Sequence, residues 1–166
     1  MNIVLIGYRG TGKSTVGRQL AARLGRTLVS TDTEIVKRAQ RTIPEIVAQE
    51  GWEYFRDLES EICREISSRD QLVIDTGGGA ILRAQNVEAL KKDGTVFWLT
   101  ASVETIAKRI GGDNQRPSLT GTKSFVDEIQ DVLRERTPKY QAAADHIIVT
   151  DDRSINQLIE TVLTLM

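Results

Sequence analysis

The chain has 166 residues, 40% of them hydrophobic, which suits one domain with an ordinary buried core. Its 22 basic and 23 acidic residues leave a net charge of −1, so no global field draws it to nucleic acid or to an anionic membrane. The single Cys63 excludes an internal disulfide, no apolar run approaches the roughly 18 residues of a membrane span, and the N-terminus enters a strand at once, so a soluble cytoplasmic protein is expected.

Ile3-Val4-Leu5-Ile6 is a short apolar run rich in β-branched residues and reads as a buried strand. Gly7-Tyr8-Arg9-Gly10-Thr11-Gly12-Lys13-Ser14-Thr15 follows and satisfies G-x-x-x-x-G-K-[ST]. Val16, Leu20 and Leu24 then recur at helical spacing, one stripe of a helix. The loop therefore joins a strand to a helix N-terminus, the setting that a phosphate cradle requires. There the glycines let backbone N–H groups approach phosphates, Lys13 reaches the β- and γ-phosphates, and Ser14 ligates Mg²⁺.

The first helix ends near Gly25, and Leu28-Val29-Ser30 reads as a second strand. Asp32 stands at its carboxyl end, where open α/β sheets bind ligands. Alternatively Thr31, Asp32 or Thr33 caps a helix through Ile35, Val36 and Ala39. Thr42, Pro44 and Glu45 have the spacing of a capped helix start, and Gly51 ends that helix or begins the next. Trp52, Phe55, Leu58, Ile62 and Ile66 form a core stripe into which Glu59 projects, with Arg56 along its edge. The two lie three apart and pair either as a surface ion pair or so that Glu59 aims Arg56 into a cleft. Cys63 reads as packing.

Gln71 to Asp75 is the third strand, and its terminal acid resembles a Walker-B carboxylate beside Mg²⁺. Three consecutive glycines, Gly77 to Gly79, are costly in entropy and suit backbone that approaches a ligand closely. A helix through Val87 and Leu90 stops at Asp93-Gly94, Thr95 to Leu99 is the fourth strand, and Ser102 to Ile110 is helical. Gly111 to Gly121 reads as a long polar loop of the kind that includes lids, with Arg116 either closing onto phosphates or solvated. Phe125, Ile129, Val132 and Leu133 mark a helix expected to end by Pro138, where Arg136 would favour its C-terminus. Ile147-Ile148-Val149 is the fifth strand beside a structural His146, and Ile155, Leu158, Ile159, Val162 and Leu163 stripe the last helix. Strands and helices alternate throughout, which argues for α/β with a parallel sheet.

Taken in order, these segments resemble the shikimate kinases, small P-loop kinases related to the nucleoside monophosphate kinases. The likeness rests on Gly7 to Thr15, on Thr31-Asp32 opening a helix, and on Gly51-Trp52-Glu53-Tyr54-Phe55-Arg56. It continues in Gly77-Gly78-Gly79, Arg116-Pro117-Ser118-Leu119 and Arg136-Thr137-Pro138-Lys139-Tyr140. The resemblance implies a three-layer P-loop kinase fold in one domain, residues 1–166, with a five-stranded parallel sheet in order 2-3-1-4-5 and helices on both faces. It implies a mobile lid at about 111–123 and a shikimate-binding region at about 32–60. It also implies a cytoplasmic monomer that uses ATP and Mg²⁺ to phosphorylate the 3-hydroxyl of shikimate, in aromatic amino-acid biosynthesis.

Carried over by position, the resemblance makes Lys13, Asp32 and Arg116 catalytic, Asp32 as base. It assigns ATP to Gly10, Thr11, Gly12, Lys13, Ser14, Thr15, Arg109 and Arg116, with Arg109 stacking on adenine. It assigns shikimate to Asp32, Arg56, Gly77, Gly78, Gly79 and Arg136. The family usually shows D-x-D after the second strand, whereas this chain has Ser30-Thr31-Asp32, and it usually has a small residue where Asp75 stands. The two positions look exchanged, so Ser14 and Asp75 are the expected Mg²⁺ pair; alternatively Asp75 only hydrogen-bonds a neighbouring loop. The alternatives are another small-molecule kinase, of gluconate or nucleoside monophosphate type, and an ATP-binding regulatory module without turnover.

Overall fold

A computed structural model describes residues 1–111 and 125–166. Its sheet grows from β1, Asn2–Ile6, in which all five residues are buried. β3, Leu72–Asp75, is buried just as fully. Strands covered on both faces lose the alternation of half-exposed ones, as a parallel sheet under helices requires. With β2 at Thr27–Ser30, β4 at Gly94–Thr100 and β5 at His146–Val149, the pairing is parallel throughout, in the order β2-β3-β1-β4-β5. This is the order that the resemblance implies.

The helices are α1 (Lys13–Leu24), α2 (Thr31–Ala39), α3 (Ile43–Ser67), α4 (Ala84–Lys92), α5 (Val103–Ile110), α6 (Phe125–Ala143) and α7 (Ile155–Leu165). Successive residues of a strand point to opposite faces, and β1 divides its side chains accordingly. Val4 and Ile6 pack with Phe55, Ile62 and Ile66 of α3 and Tyr140 of α6. Ile3 and Leu5 pack with Val16 and Leu20 of α1 and with Leu158, Ile159 and Val162 of α7. Helices thus cover both faces of the sheet. A third cluster, Tyr8 with Ile106, Ile110, Ile129 and Val132, joins α5 and α6 to the phosphate loop. His146 stacks on Phe97 with centroids 5.1 Å apart, which agrees with a structural role. Among the described residues, no helix is long and apolar enough to cross a membrane.

Three local outcomes differ from, or settle, the sequence reading. Ser30 caps α2 by accepting from the Thr33 N–H at 3.3 Å, so Asp32 lies inside the first turn and none of Thr31, Asp32 and Thr33 is the cap. The reason is that β2 runs directly into α2, which leaves its last residue at the N-cap. Thr42 and Glu45 form the expected reciprocal capping box, and Gly51, at φ 86° and ψ 170°, leaves the helical conformation as expected, so α3 is two helical pieces that meet there at a kink. α6 does not end at Pro138. It continues to Ala143, and Arg136 sits in its interior. Proline removes one backbone donor, yet Tyr140 and Ala143 beyond it are buried, so packing carries the helix past the lost bond.

The sheet sets the position of the cleft. β1 connects through α1 to β2 beyond β3, whereas its neighbour β3 connects through α4 to β4 beyond β1, so the two connections leave the carboxyl ends in opposite directions and open a crevice there. Gly7 makes this junction possible: a Cβ at its position, with φ 145°, would lie 2.3 Å from the Leu99 carbonyl oxygen of β4.

Candidate active site

A cleft of about 530 Å³ lies at this crevice, lined by the phosphate loop, the ends of β2 and β3, the first turn of α2 and Arg109. Gly10, Gly12, Lys13, Ser14 and Thr15 line it, and α1 begins at Lys13, so the helix N-terminus opens into the cleft. Free N–H groups and the helix dipole favour an anion at such an end. Lys13 is buried and its Nζ donates to the carbonyls of Gly7 at 2.8 Å and Tyr8 at 3.0 Å. The Thr11 hydroxyl donates to the Tyr8 carbonyl at 2.8 Å, so Thr11 braces the loop and does not line the cleft. Arg109 reaches over from α5 and donates to the Gly10 carbonyl and the Thr150 hydroxyl, each at 3.1 Å.

Asp75 closes the floor. Its Oδ2 accepts from the Ser14 hydroxyl at 2.6 Å. Burial pushes its carboxyl above the ordinary range, and nearby Asp32 adds to this, while Lys13 and the Ser14 hydrogen bond pull it back. Ser14 and Asp75 are hard oxygen donors, and among the described residues no three acidic, His or Cys side chains could form a cage for a metal. Such a pair fits Mg²⁺, which keeps waters and substrate phosphates as most of its ligands.

The other half of the cleft is built on the glycine turn. The Gly77 N–H donates to the Thr31 hydroxyl at 2.8 Å, which ties the turn to the start of α2. A Cβ on Gly77 would lie 2.6 Å from Asp32 Oδ1 and 3.1 Å from Glu59 Oε2. One on Gly79 would lie 2.4 Å from both terminal nitrogens of Arg56, and one on Gly78 would lie 3.5 Å from Arg136 Nη1. The three glycines therefore make room for charged side chains that converge from α2, α3 and α6.

Arg56 donates to Glu59 at 2.8 Å, with side-chain exposures of 11% and 0%, which rules out the surface-pair reading. Its guanidinium also lies 5.4 Å from the Trp52 ring centroid and 5.2 Å from that of Phe55, within cation–π range. Such a cation is held from behind and aimed, at low cost in side-chain entropy. Arg136 is likewise buried. One turn further along α6, the Tyr140 hydroxyl donates to the Gly78 carbonyl while its ring stacks on Trp98 with centroids 5.6 Å apart.

The expected residues Lys13, Ser14, Asp32, Asp75, Gly77 and Gly78 line one cleft, with Arg56, Gly79 and Arg136 packed against the turn on its wall. Arg116 and the expected lid at about 111–123 lie, apart from Gly111, outside the described residues. Two contributors escaped the sequence reading. Arg9 lines the cleft from a variable position of the loop motif, where nothing marks it. The Tyr140 tether was detectable only as i, i+4 spacing from Arg136, which puts both on one helix face. The arrangement can bind a polyphosphate at one end and a small anion at the other, with a carboxylate, Asp32, between them.

The family model described as shikimate kinase matches residues 9–166. A shikimate kinase of Nitratidesulfovibrio vulgaris is 44% identical, over 99% of this chain and 94% of that protein. One of Syntrophus aciditrophicus is 42% identical, over 98% of this chain and 89% of its own length. Among solved structures, a shikimate kinase from Acinetobacter baumannii in complex with shikimate superposes with a TM-score of 0.94 at 40% identity, covering 99% of this chain and 91% of that one.

Proposed function

Because the chain belongs to the shikimate kinase family, we propose that the phosphate loop holds ATP, that the glycine turn with Arg56 and Arg136 holds shikimate, and that the γ-phosphoryl group passes between them. It is an ATP-dependent kinase with a shikimate hydroxyl as acceptor, and the 3-hydroxyl is the acceptor we assign. The observation that carries the site assignment is the convergence of two buried arginines and Asp32 on the glycine turn, whose Gly77 and Gly78 line one cleft with Asp32 and Lys13.

Shikimate offers a carboxylate and vicinal hydroxyls. Arginine forks suit the carboxylate, and Arg56, restrained by Glu59, Trp52 and Phe55, is set in place before substrate arrives. Asp32 lies between the turn and the loop, where it orients the attacking hydroxyl and accepts its proton. Lys13 balances charge on the transferring phosphoryl group, and the α1 N-terminus and loop N–H groups hold the remaining phosphate oxygens. Ser14 with a cleft carboxylate would hold Mg²⁺, the metal that the kinase chemistry implies, and it would supply charge neutralisation at the phosphates. Arg109 steadies the loop and borders the adenine side, and Arg116 closes over the phosphates from the segment at about 111–123. The unit spans residues 1–166, with the acceptor region at about 32–60, and acts as a cytoplasmic monomer.

A coupled ADP-release assay decides the acceptor. Shikimate should drive steady release, whereas gluconate and nucleoside monophosphates at equal concentration should not. Absence of shikimate-dependent release from folded protein overturns the reading. Tight ATP binding without turnover would instead favour a regulatory module.

A further inference from the structure

Among the described residues that line the cleft, two are carboxylates, Asp32 and Asp75, and they face different neighbours. Asp32 abuts the glycine turn. Asp75 takes the Ser14 hydroxyl. Asp75 is also the last residue of β3, in direct parallel register with Ser30, the last residue of β2. Neighbouring strands lie about 4.8 Å apart, and paired residues project to the same face of the sheet. Positions 30 and 75 are therefore two adjacent mounts above one floor, and both line the same cleft. This chain uses them for different tasks. The Ser30 hydroxyl accepts from the Thr33 N–H and starts α2, whose first turn carries Asp32.

We propose that the carboxylate completing the divalent-cation site with Ser14 is mounted on β3 as Asp75, and that its strand partner Ser30 is an interchangeable second mount. This rests on the reading of the loop as a kinase donor site and deepens it. Ser14 and Asp75 bring two oxygen donors to one point, which is the chemistry of a hard cation. Asp32 Oδ1 is turned to Gly77, whereas Asp75 Oδ2 meets Ser14. A carboxylate moved from position 75 to position 30 would stay on the same face, one strand away.

The test reads metal binding directly, with Mn²⁺ as the paramagnetic probe and its affinity for the enzyme–ADP complex measured by electron spin resonance. Asp75→Asn keeps size and a hydrogen-bond partner for Ser14 but loses the charge. It should weaken Mn²⁺ by about tenfold or more, as loss of a supporting metal group does, while ADP affinity in EDTA stays at the wild-type value. Asp75→Ser should weaken Mn²⁺ similarly, and Asp75→Ser with Ser30→Asp should recover most of it. Wild-type Mn²⁺ affinity in Asp75→Asn overturns the assignment. A folded double variant that binds no better than Asp75→Ser overturns the interchange, and should that variant fail to fold, Asp75→Asn alone decides on Asp75. The two readings fail separately. Loss of Mn²⁺ affinity in Asp75→Asn, in a protein that shikimate does not stimulate, refutes the acceptor and leaves this inference standing. Shikimate turnover with unchanged Mn²⁺ affinity does the reverse.

Discussion

The sides of the cleft proposed for phosphate and for acceptor are built in opposite ways. Residues 7–15 are contiguous, and their work is done largely by backbone fixed between β1 and α1. The acceptor side takes Asp32 from α2, Arg56 from α3, Gly77 to Gly79 from the turn after β3, and Arg136 from α6. One side is a local motif, and the other is an assembly that exists only once four elements have packed. The two sides should therefore respond differently to substitution. Damage to the loop should strike the chemical step, whereas damage to the turn should strike acceptor affinity.

The largest break in this contrast is Lys13→Ala. Loss of the cation that meets the transferring phosphoryl group should lower kcat by about 10³-fold, the scale of a lost transition-state charge contact, with the thermal midpoint preserved. Near-normal kcat would remove Lys13 from the mechanism. Next is Arg136→Ala, which deletes a charged hydrogen-bond donor worth about 1.5–3 kcal/mol. That should raise the shikimate KM roughly 10- to 100-fold and leave the ATP KM near its wild-type value. Equal effects on both would mean that α6 serves structure alone.

Gly79→Ala sharpens the comparison further. The added methyl would meet the tip of Arg56, which its buried pair with Glu59 holds in place. Overpacking costs about 1–3 kcal/mol, and here it should appear as a shikimate KM raised about tenfold together with a lower melting temperature, read from paired kinetics and melting. A large fall in melting temperature with unchanged KM would contradict it.

The smallest effect lies outside both sides. Asp145 ties α4 to the sheet, accepting from Lys91 at 2.9 Å and from the Val96 N–H at 2.8 Å. Burial raises its carboxyl, but these two contacts outweigh it and hold the group below its ordinary value. A depressed folded pKa contributes stability above the unfolded value of about 4, and that contribution fades as pH falls through the folded one. Asp145→Asn should thus cost about 0.5–1 kcal/mol near neutral pH, given its partial exposure. The difference should shrink on acidification below about pH 4, with neither KM altered.

The same contrast explains what could be read in the residues. β1 and the loop were legible because apolar run, motif and helix stripe are adjacent in the chain. The Arg56–Glu59 pair was legible because helical spacing alone brings it together, whereas its burial, open in the sequence between a surface pair and a cleft, was settled by packing. The cap of α2 was misassigned by proximity: with no residue between β2 and α2, the strand's own Ser30 takes the task. Pro138 misled because its local preference is to stop a helix, and only the burial of Tyr140 and Ala143, a tertiary fact, overrides it. The Tyr140–Gly78 tether spans 62 residues, and its one local trace is the i, i+4 spacing of Tyr140 from Arg136.

That tether also gives α6 a mechanical character. The helix is 19 residues long, about 28 Å. Near its far end, Tyr140 and Arg136 grip the glycine turn, while Phe125 stands at the other end. Phe125 stands about 22 Å along the axis from Tyr140, so the hydrogen bond to Gly78 pins one end of a rod whose other end lies at Phe125.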